Sequence, residues 1–203
     1  HRRALHALAV EDWRCAVKIT RVQLDAIMPH ADERADRYLG PLNDAAVEYD
    51  IDTPARLAMW LAQLAHESAE LRLVTEIADG SAYEGRLDLG NTQRGDGRRF
   101  RGRGLIQITG RANYAACSRA LAGADMLLLE HPQLLADDPL LAARSAGWYW
   151  RSRDLNGYAD RGDITGCTRR INGGTNGLRD RIKYWDRARA VLGVDMTTAR
   201  GAA

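Results

Sequence analysis

The sequence has few cysteines and no long hydrophobic run, and each shortage excludes a class of protein. Its three cysteines (Cys15, Cys117 and Cys167) are odd in number and show no C-x-x-C spacing. We therefore expect reduced thiols rather than a disulfide framework. No run of about 18 consecutive apolar residues is present, so no helix is expected to cross a membrane, and no membrane partner is expected.

Lysine is almost absent. Only Lys18 and Lys183 occur among the 29 basic residues, and the others are arginines. A genome whose codon usage favours arginine explains such a bias, but a guanidinium-rich surface also suits an anionic polymer. The net charge of +2 and the hydrophobic content of 45% are those of a globular protein.

A single folded domain accounts for most of the 203 residues. We predict a leader at 1–19 that need not belong to the fold, a domain at 20–194 and a tail at 195–203. The N-terminal stretch is too short and too soon followed by acidic residues for a signal peptide. We therefore expect the protein to be synthesised in the cytoplasm.

The pattern along the chain is mostly helical. Thr20 and Thr53-Pro54 are helix-start signals, and Gly40-Pro41 is expected to interrupt a helix. The helix after Thr53 is the longest and most apolar. Residues 80–104, called here the Gly/Arg-rich segment, contain seven glycines and predict an extended loop. Residues 105–109 predict a short buried strand.

The stretch AHESAE at 65–70 begins like the zinc-binding motif H-E-x-x-H. The residue four positions after His66 is Glu70, so the second imidazole of a zinc site is missing. No metal is expected. Glu67 stands near the end of an apolar helix, where burial disfavours a charged carboxylate, and is a candidate general acid. A solvated glutamate in a fraying last turn explains the same position equally well.

Glycoside hydrolysis by inversion needs a second carboxylate, which acts as a base on water. Glu70, Glu76, Asp79 and Glu84 are the candidates downstream. A continuous helix would place Glu67 and Glu76 about 13.5 Å apart on opposite faces. The two share a cleft only if the helix ends between them, and spacing alone leaves Glu76 and Glu84 as alternatives.

The stretch FRGRGLIQITGRANY at 100–114 is the most specific in the chain. Gln107 and Thr109 alternate with Ile106 and Ile108, so a strand would turn the polar pair to one side. With Asn113 they suit hydrogen bonds to a sugar and its acetamido groups, although a polar outer face of a strand is the plainer explanation.

These motifs, together with AHES and RRINGGTNGLRDRIKYW, resemble glycoside hydrolase family 19 over roughly residues 20–194. The family contains plant-type chitinases and compact bacteriophage endolysins, and the short loops are more similar to the endolysin branch. The resemblance implies a lysozyme-like, mostly α, two-lobed domain with a small strand element and a cleft between the lobes. One departure is Ala69-Glu70, where compact members more often have Gly-Gly.

The resemblance also assigns roles to residues. Glu67 matches the general acid, Glu76 the base nine residues on, and Thr109 a residue that holds the nucleophilic water. We assign the remaining candidates to substrate binding: His66, Tyr83, Glu84, Gln107, Asn113, Asn172 and Arg181.

The implied function is that of an endolysin, which hydrolyses β-1,4 bonds of bacterial peptidoglycan with inversion of the anomeric configuration and without a cofactor. We expect a monomer that acts on the cell wall after release. A chitinase of the same family is the first alternative. The second is a non-enzymatic Arg-rich domain that binds nucleic acid, because RGDGRRFRGRG superficially resembles an RGG tract. The acidic neighbours of that tract weaken the second alternative, and we expect no nucleic-acid partner.

Overall fold

The computed structural model describes residues 17–123 and 126–195, and this part of the chain is mostly helical, as predicted. Its elements follow one another with short connections. The α-helices are α1 (Arg21–Ile27), α2 (Arg34–Glu48), α3 (Pro54–Glu67), α4 (Asp96–Arg99), α5 (Arg111–Ala122), α6 (Met126–Glu130), α7 (Leu134–Asp137), α8 (Pro139–Ser152), α9 (Leu155–Asp160), α10 (Ile164–Asn172) and α11 (Leu178–Leu192).

Helix α3 forms the centre of the core. Every residue from Leu57 to Ala65 is buried, including Trp60 and the polar Gln63. Its most extensive partner is α11, whereas α2 packs mainly against α8. Burial of this apolar helix supplies much of the driving force for folding, and it carries its last residue, Glu67, on a rigid support.

The helix starts were predicted correctly. Thr20 caps α1 through a capping box with Gln23, and Thr53 caps α3 with Pro54 in the first turn. The predicted interruption at Gly40-Pro41 is wrong, because α2 continues through Pro41. Its apolar face packs into the core on both sides of the proline, and tertiary packing of that kind outweighs a local helix breaker.

The last residues of the predicted leader are attached to the domain. Ile19 is buried, and the Asn43 side chain both accepts from its amide and donates to its carbonyl at 2.9 Å. Residues 1–16, 124–125 and 196–203 lie outside the described residues, and so does most of the predicted leader and tail.

The Gly/Arg-rich segment is folded rather than extended. It contains two 3-10 turns, Ser81–Tyr83 and Leu87–Leu89, in addition to α4. The predicted strand at 105–109 is also wrong. The described chain has only isolated antiparallel bridges there, which pair Arg103 with Thr75 and Ile108. Gly104 and Gln107 both adopt positive φ, and this makes a tight turn out of the apolar run.

The described residues include two of the three cysteines. Cys117 and Cys167 are free and buried, and burial raises the pKa of each thiol to about 12. Cys15 lies outside the described residues. Among residues 17–123 and 126–195, no helix combines the length and hydrophobicity needed to cross a bilayer.

Candidate active site

The helix that carries Glu67 ends at that residue in a left-handed turn. Ser68 is the C-cap, and the next three residues, Ala69, Glu70 and Leu71, have φ of 48°, 60° and 66°. Left-handed backbone costs a residue with a side chain roughly 1–2 kcal/mol, so three in a row require compensation. The turn separates Glu67 from Glu76, which is the condition for both to face one cleft.

Buried hydrogen bonds hold this turn in place. The Glu70 carboxylate is only 3% exposed and accepts from the His30 amide at 2.6 Å and the Tyr184 hydroxyl at 2.7 Å. The Ser68 hydroxyl donates to the Leu64 carbonyl and accepts from the Leu71 amide. Burial, and then the Glu70 carboxylate, raise the pKa of Tyr184. The left-handed turn is therefore stabilised by side chains.

Glu67 is oriented by an arginine from α11. The Nη2 of Arg181 donates to Oε1 of Glu67 at 2.5 Å, and Arg181 is 2% exposed against 19% for the Glu67 side chain. Arg181 also donates to Gln63, whose amide donates to Thr168 of α10 at 3.5 Å. One oxygen of Glu67 is thus fixed from the core side, and the carboxyl remains partly open to solvent.

His66 lies beside the acid and points to the start of α11. Its Nδ1 is 2.8 Å from Oδ2 of Asp180. Gly177 packs against the imidazole so closely that a Cβ added there would overlap the ring. The described residues contain no group of three or more His, Cys, Asp and Glu side chains that could hold a metal.

Glu76 is held by the Gly/Arg-rich segment. Its Oε1 accepts from the Tyr83 hydroxyl at 2.8 Å, and its Oε2 accepts from the Gly102 amide at 3.1 Å. The Glu76 amide in turn donates to the Gly102 carbonyl at 2.9 Å. Burial, and then the Glu76 carboxylate, raise the pKa of Tyr83. Tyr83, predicted as a substrate contact, therefore orients Glu76 in this structure.

Gln107, Thr109 and Glu76 surround one glycine. A Cβ at Gly102 would lie 2.8 Å from Oε1 of Gln107, 3.2 Å from Oε2 of Glu76 and 3.3 Å from Oγ1 of Thr109. The Thr109 hydroxyl donates to the Gln107 carbonyl at 2.9 Å, so its oxygen keeps a lone pair for a water hydrogen. The predicted polar row is brought together by a turn rather than by a strand.

Glu84 has a different role from Glu76. Its carboxylate accepts from the amides of Gly95 and Gly97 at 2.7 and 2.9 Å, and these two bonds lower the pKa of Glu84. The Gly/Arg-rich segment thus folds back onto the Glu84 carboxylate through two backbone amides, whereas Glu76 bonds to the Tyr83 hydroxyl and the Gly102 amide.

Two further candidates form hydrogen bonds with nearby backbone groups. The Asn113 amide donates to the Thr109 carbonyl at 2.7 Å. The exposed Asn172 donates to the Asn176 carbonyl and accepts from the Gly174 amide, both at 2.9 Å, which closes the turn after α10.

Sequence reasoning missed several residues that build the site. Gln63 precedes Glu67 by one turn of α3, and a polar residue on that buried face was an available signal. Asp180 adjoins Arg181 in the recognised motif. No local signal pointed to the contacts of Glu70 with His30 and Tyr184, because these residues lie 40 and 114 positions away.

Comparisons with known proteins identify the family of the chain. The family model described as chitinase class I, of glycoside hydrolase family 19, matches residues 54–167. A glycosyl hydrolase family 19 domain-containing protein of Haemophilus influenzae is 41% identical over 110 residues, 54% of this chain and 51% of that protein. An endochitinase of Arabidopsis thaliana is 33% identical over 144 residues, 68% of this chain and 48% of that protein. The chain thus spans about half the length of these curated relatives.

Solved structures show the same fold. Chitinase C from Streptomyces griseus aligns with a TM-score of 0.69 at 24% identity, covering 86% of this chain and 76% of that one. A bacterial family 19 chitinase aligns with a TM-score of 0.70 at 23% identity, covering 87% and 96%.

Proposed function

This chain belongs to glycoside hydrolase family 19, and from that premise we propose that it hydrolyses β-1,4 bonds of an N-acetylhexosamine polymer by inversion. One observation carries the proposal. The buried helix α3 ends at Glu67, and the left-handed turn after it separates that carboxyl from the second one, Glu76, so that each is fixed by its own partners.

The chemistry follows from these two positions. Glu67 gives its proton to the glycosidic oxygen as the bond to the anomeric carbon breaks. Glu76 removes a proton from a water that attacks that carbon from the opposite face, with Thr109 as a hydrogen-bond partner of the water. The anomeric configuration inverts. Arg181 keeps Glu67 in one orientation, and Tyr83 does so for Glu76.

We take bacterial peptidoglycan as the substrate, cut by the chain as an endolysin. The compact loops and the arginine-rich composition support an anionic wall polymer over an uncharged one. Chitin is the second candidate, because the relatives in Arabidopsis thaliana and Streptomyces griseus are described as an endochitinase and a chitinase. We expect the active protein to be a monomer. Elution of the active protein at the mass of an oligomer in size-exclusion chromatography would contradict this.

The nucleic-acid alternative is not favoured by the Gly/Arg-rich segment. The one aromatic residue of the RGDGRRFRGRG tract, Phe100, is fully buried against Tyr114 and lies under the guanidinium of Arg111. Phe100 is therefore not exposed to stack on a base, and stacking is a main source of affinity for single strands.

The test is incubation with purified cell-wall sacculi, colloidal chitin and single-stranded DNA in parallel. We expect release of reducing ends from the sacculi and no specific retention of DNA. Proton NMR of the first products should show the α-anomer at the new reducing end. Clearance of chitin alone would replace peptidoglycan by chitin, and the β-anomer would overturn the inverting mechanism.

A further inference from the structure

Two arginines near the acid lack a carboxylate partner. Arg153 directly follows α8, and Arg170 lies in the last turn of α10. Neither forms an ion pair within residues 17–123 and 126–195, whereas Arg56, Arg111 and Arg144 each pair with a carboxylate. Arg153 and Arg170 therefore differ from the arginines whose ion pairs connect parts of the fold.

Tyr149 brings these two arginines to one place. The guanidinium carbon of Arg153 lies 3.5 Å from the centroid of the Tyr149 ring. The Tyr149 hydroxyl donates to the carbonyl of Ile171 at 3.0 Å, the residue next to Arg170. Among the described residues, the Arg153 head group forms one polar contact, a 3.1 Å bond to the neighbouring Ser152 hydroxyl. Most donors of that guanidinium are consequently available to a ligand.

The same phenol lies within the electrostatic influence of the acid. Burial raises the pKa of Tyr149, the Arg153 charge opposes that shift, and the Glu67 carboxylate adds to it. Helix α10 also reaches the acid through a relay of hydrogen bonds, since Thr168 accepts from Gln63 and Gln63 shares Arg181 with Glu67. The charges of Arg153, Arg170 and Glu67 all act on the Tyr149 phenol, which places the arginine pair on the acid's side of the site.

The Arg153 cation contacts the Tyr149 ring but has no carboxylate counter-ion among the described residues. Arg153 is partly buried, and burial, together with the charge of Arg170, lowers its pKa. Neighbouring like charges without a counter-ion are unfavourable, and an anion that binds both would relieve that repulsion. A guanidinium fork matches a carboxylate in geometry and forms strong charge-assisted bonds with it.

We propose that Arg153 and Arg170, with Tyr149 between them, form a subsite for a carboxylate carried by the glycan next to the bond that Glu67 protonates. This inference rests on the proposed function and gives it a substrate class, an acidic N-acetylhexosamine polymer. Peptidoglycan offers two such carboxylates: the lactyl group of a sugar whose peptide has been removed, and the acidic groups of an attached peptide. Chitin offers neither.

The experiment compares kcat/KM on three soluble substrates: glycan strands with peptides, strands stripped of peptides by an amidase, and neutral N-acetylglucosamine oligomers. The variants are Arg153→Gln, Arg170→Gln and the double variant. Two neighbouring arginines at exposed positions, Arg151 in the last turn of α8 and Arg169 in α10, provide the matched controls Arg151→Gln and Arg169→Gln. Thermal melting checks that each variant is folded.

We expect the double variant to lose about tenfold more kcat/KM on one acidic substrate than on the neutral oligomer, as two exposed charge contacts would give. The acidic substrate that shows the loss identifies the carboxylate. The wild-type preference for that substrate should also decline with added salt, and the controls should behave as wild type.

Equal losses of kcat/KM on acidic and neutral substrates would overturn the subsite, and so would an unchanged ratio in Arg170→Gln, whose exposed side chain is not needed for folding. Wild-type protein that cleaves only the neutral oligomer would also overturn the subsite, but the proposed glycosidase activity would stand. If no substrate is cleaved, the proposed function fails by itself. Calorimetric binding of both acidic strands then still reports on the subsite, which is overturned if Arg170→Gln binds them as wild type does.

Discussion

The two halves of the candidate active site are held in different ways. Glu67 ends a buried helix, and its partner Arg181 comes from α11, 114 residues away. Glu76 lies outside any helix, and its partners Tyr83 and Gly102 belong to the Gly/Arg-rich segment. The proposed acid thus depends on the packing of the core, whereas the proposed base depends on the fold of a single glycine-rich segment.

This difference predicts different sensitivities to substitution. On the acid side, we expect activity to tolerate substitutions of exposed residues around Glu67, but not substitutions that disturb the packing of α3 against α11. The base side relies on close backbone approaches: a Cβ at Gly97 would lie 2.6 Å from the amide nitrogen of Glu84 and 2.7 Å from the carbonyl oxygen of Gly80. Both distances are too short for a real side chain, so the base side should fail first at its glycines.

The largest expected effect comes from the two proposed catalytic carboxyls. Replacing either by the amide, Glu67→Gln or Glu76→Gln, removes a proton donor or acceptor from the reaction. General acid–base catalysis contributes roughly 10²–10⁴-fold, and we expect kcat on sacculi to fall by about that factor with little change in melting temperature. Azide should partly rescue Glu76→Ala but not Glu67→Ala, because a small nucleophile replaces the water and not the acid.

Glu84→Gln is the matched control for the base. An amide keeps the shape of Glu84 but cannot accept from both Gly95 and Gly97 with its nitrogen in place of an oxygen. We expect a higher KM and a nearly normal kcat, since the segment loosens while Glu76 remains. A dead Glu84→Gln enzyme together with an active Glu76→Gln enzyme would make Glu84 the base.

Local sequence signals were sufficient where local physics decides. The caps at Thr20 and Thr53 and the apolar stripe of α3 depend on neighbours within one or two turns, and the structure contains them. The same reasoning failed at Pro41, because burial of the helix face outweighs the missing amide.

Non-local contacts account for the other differences. The Ser68 hydroxyl supports the left-handed turn locally, but the bonds of Glu70 that stabilise it reach residues distant in sequence. The strand predicted from the polar alternation became a turn, although Ile106 and Ile108 are buried as expected. The pattern identified which side chains face the core but not the backbone that presents them.

The next largest effect concerns the turn on the acid side. Glu70→Ala would leave the His30 amide and the Tyr184 hydroxyl without their acceptor, and loss of such bonds to a charged group costs about 1.5–3 kcal/mol each. We expect a loss of about 3 kcal/mol in the free energy of unfolding, measured by denaturant titration.

Glu70→Gly provides the comparison, because glycine adopts positive φ without the steric cost. It should recover about 1 kcal/mol relative to Glu70→Ala. If the alanine and glycine variants unfold at the same denaturant concentration, the left-handed backbone is not what Glu70 compensates.

On the base side, Tyr83→Phe removes the hydrogen bond to Oε1 of Glu76 while keeping the ring. Loss of one bond to a carboxylate is expected to lower kcat by about tenfold, with KM changing less. Tyr158→Phe, a partly buried tyrosine on α9, serves as the control and should leave both constants unchanged. If Tyr83→Phe instead raises KM and leaves kcat normal, Tyr83 contacts the substrate, as the sequence suggested.

The smallest effect separates two adjacent arginines of the Gly/Arg-rich segment. The Arg98 side chain is 71% exposed and pairs with Asp79 at 3.0 Å, whereas Arg99 donates to the Leu129 carbonyl at 2.7 Å. Exposed charge pairs contribute about 1 kcal/mol or less and weaken with salt. We therefore expect Arg98→Gln to raise KM on sacculi about twofold at low salt, and not at high salt. Arg99→Gln should instead lower the melting temperature, with no change in the salt dependence of KM. A salt-independent KM in both variants would assign the arginine content of this segment to codon usage rather than to binding of the wall.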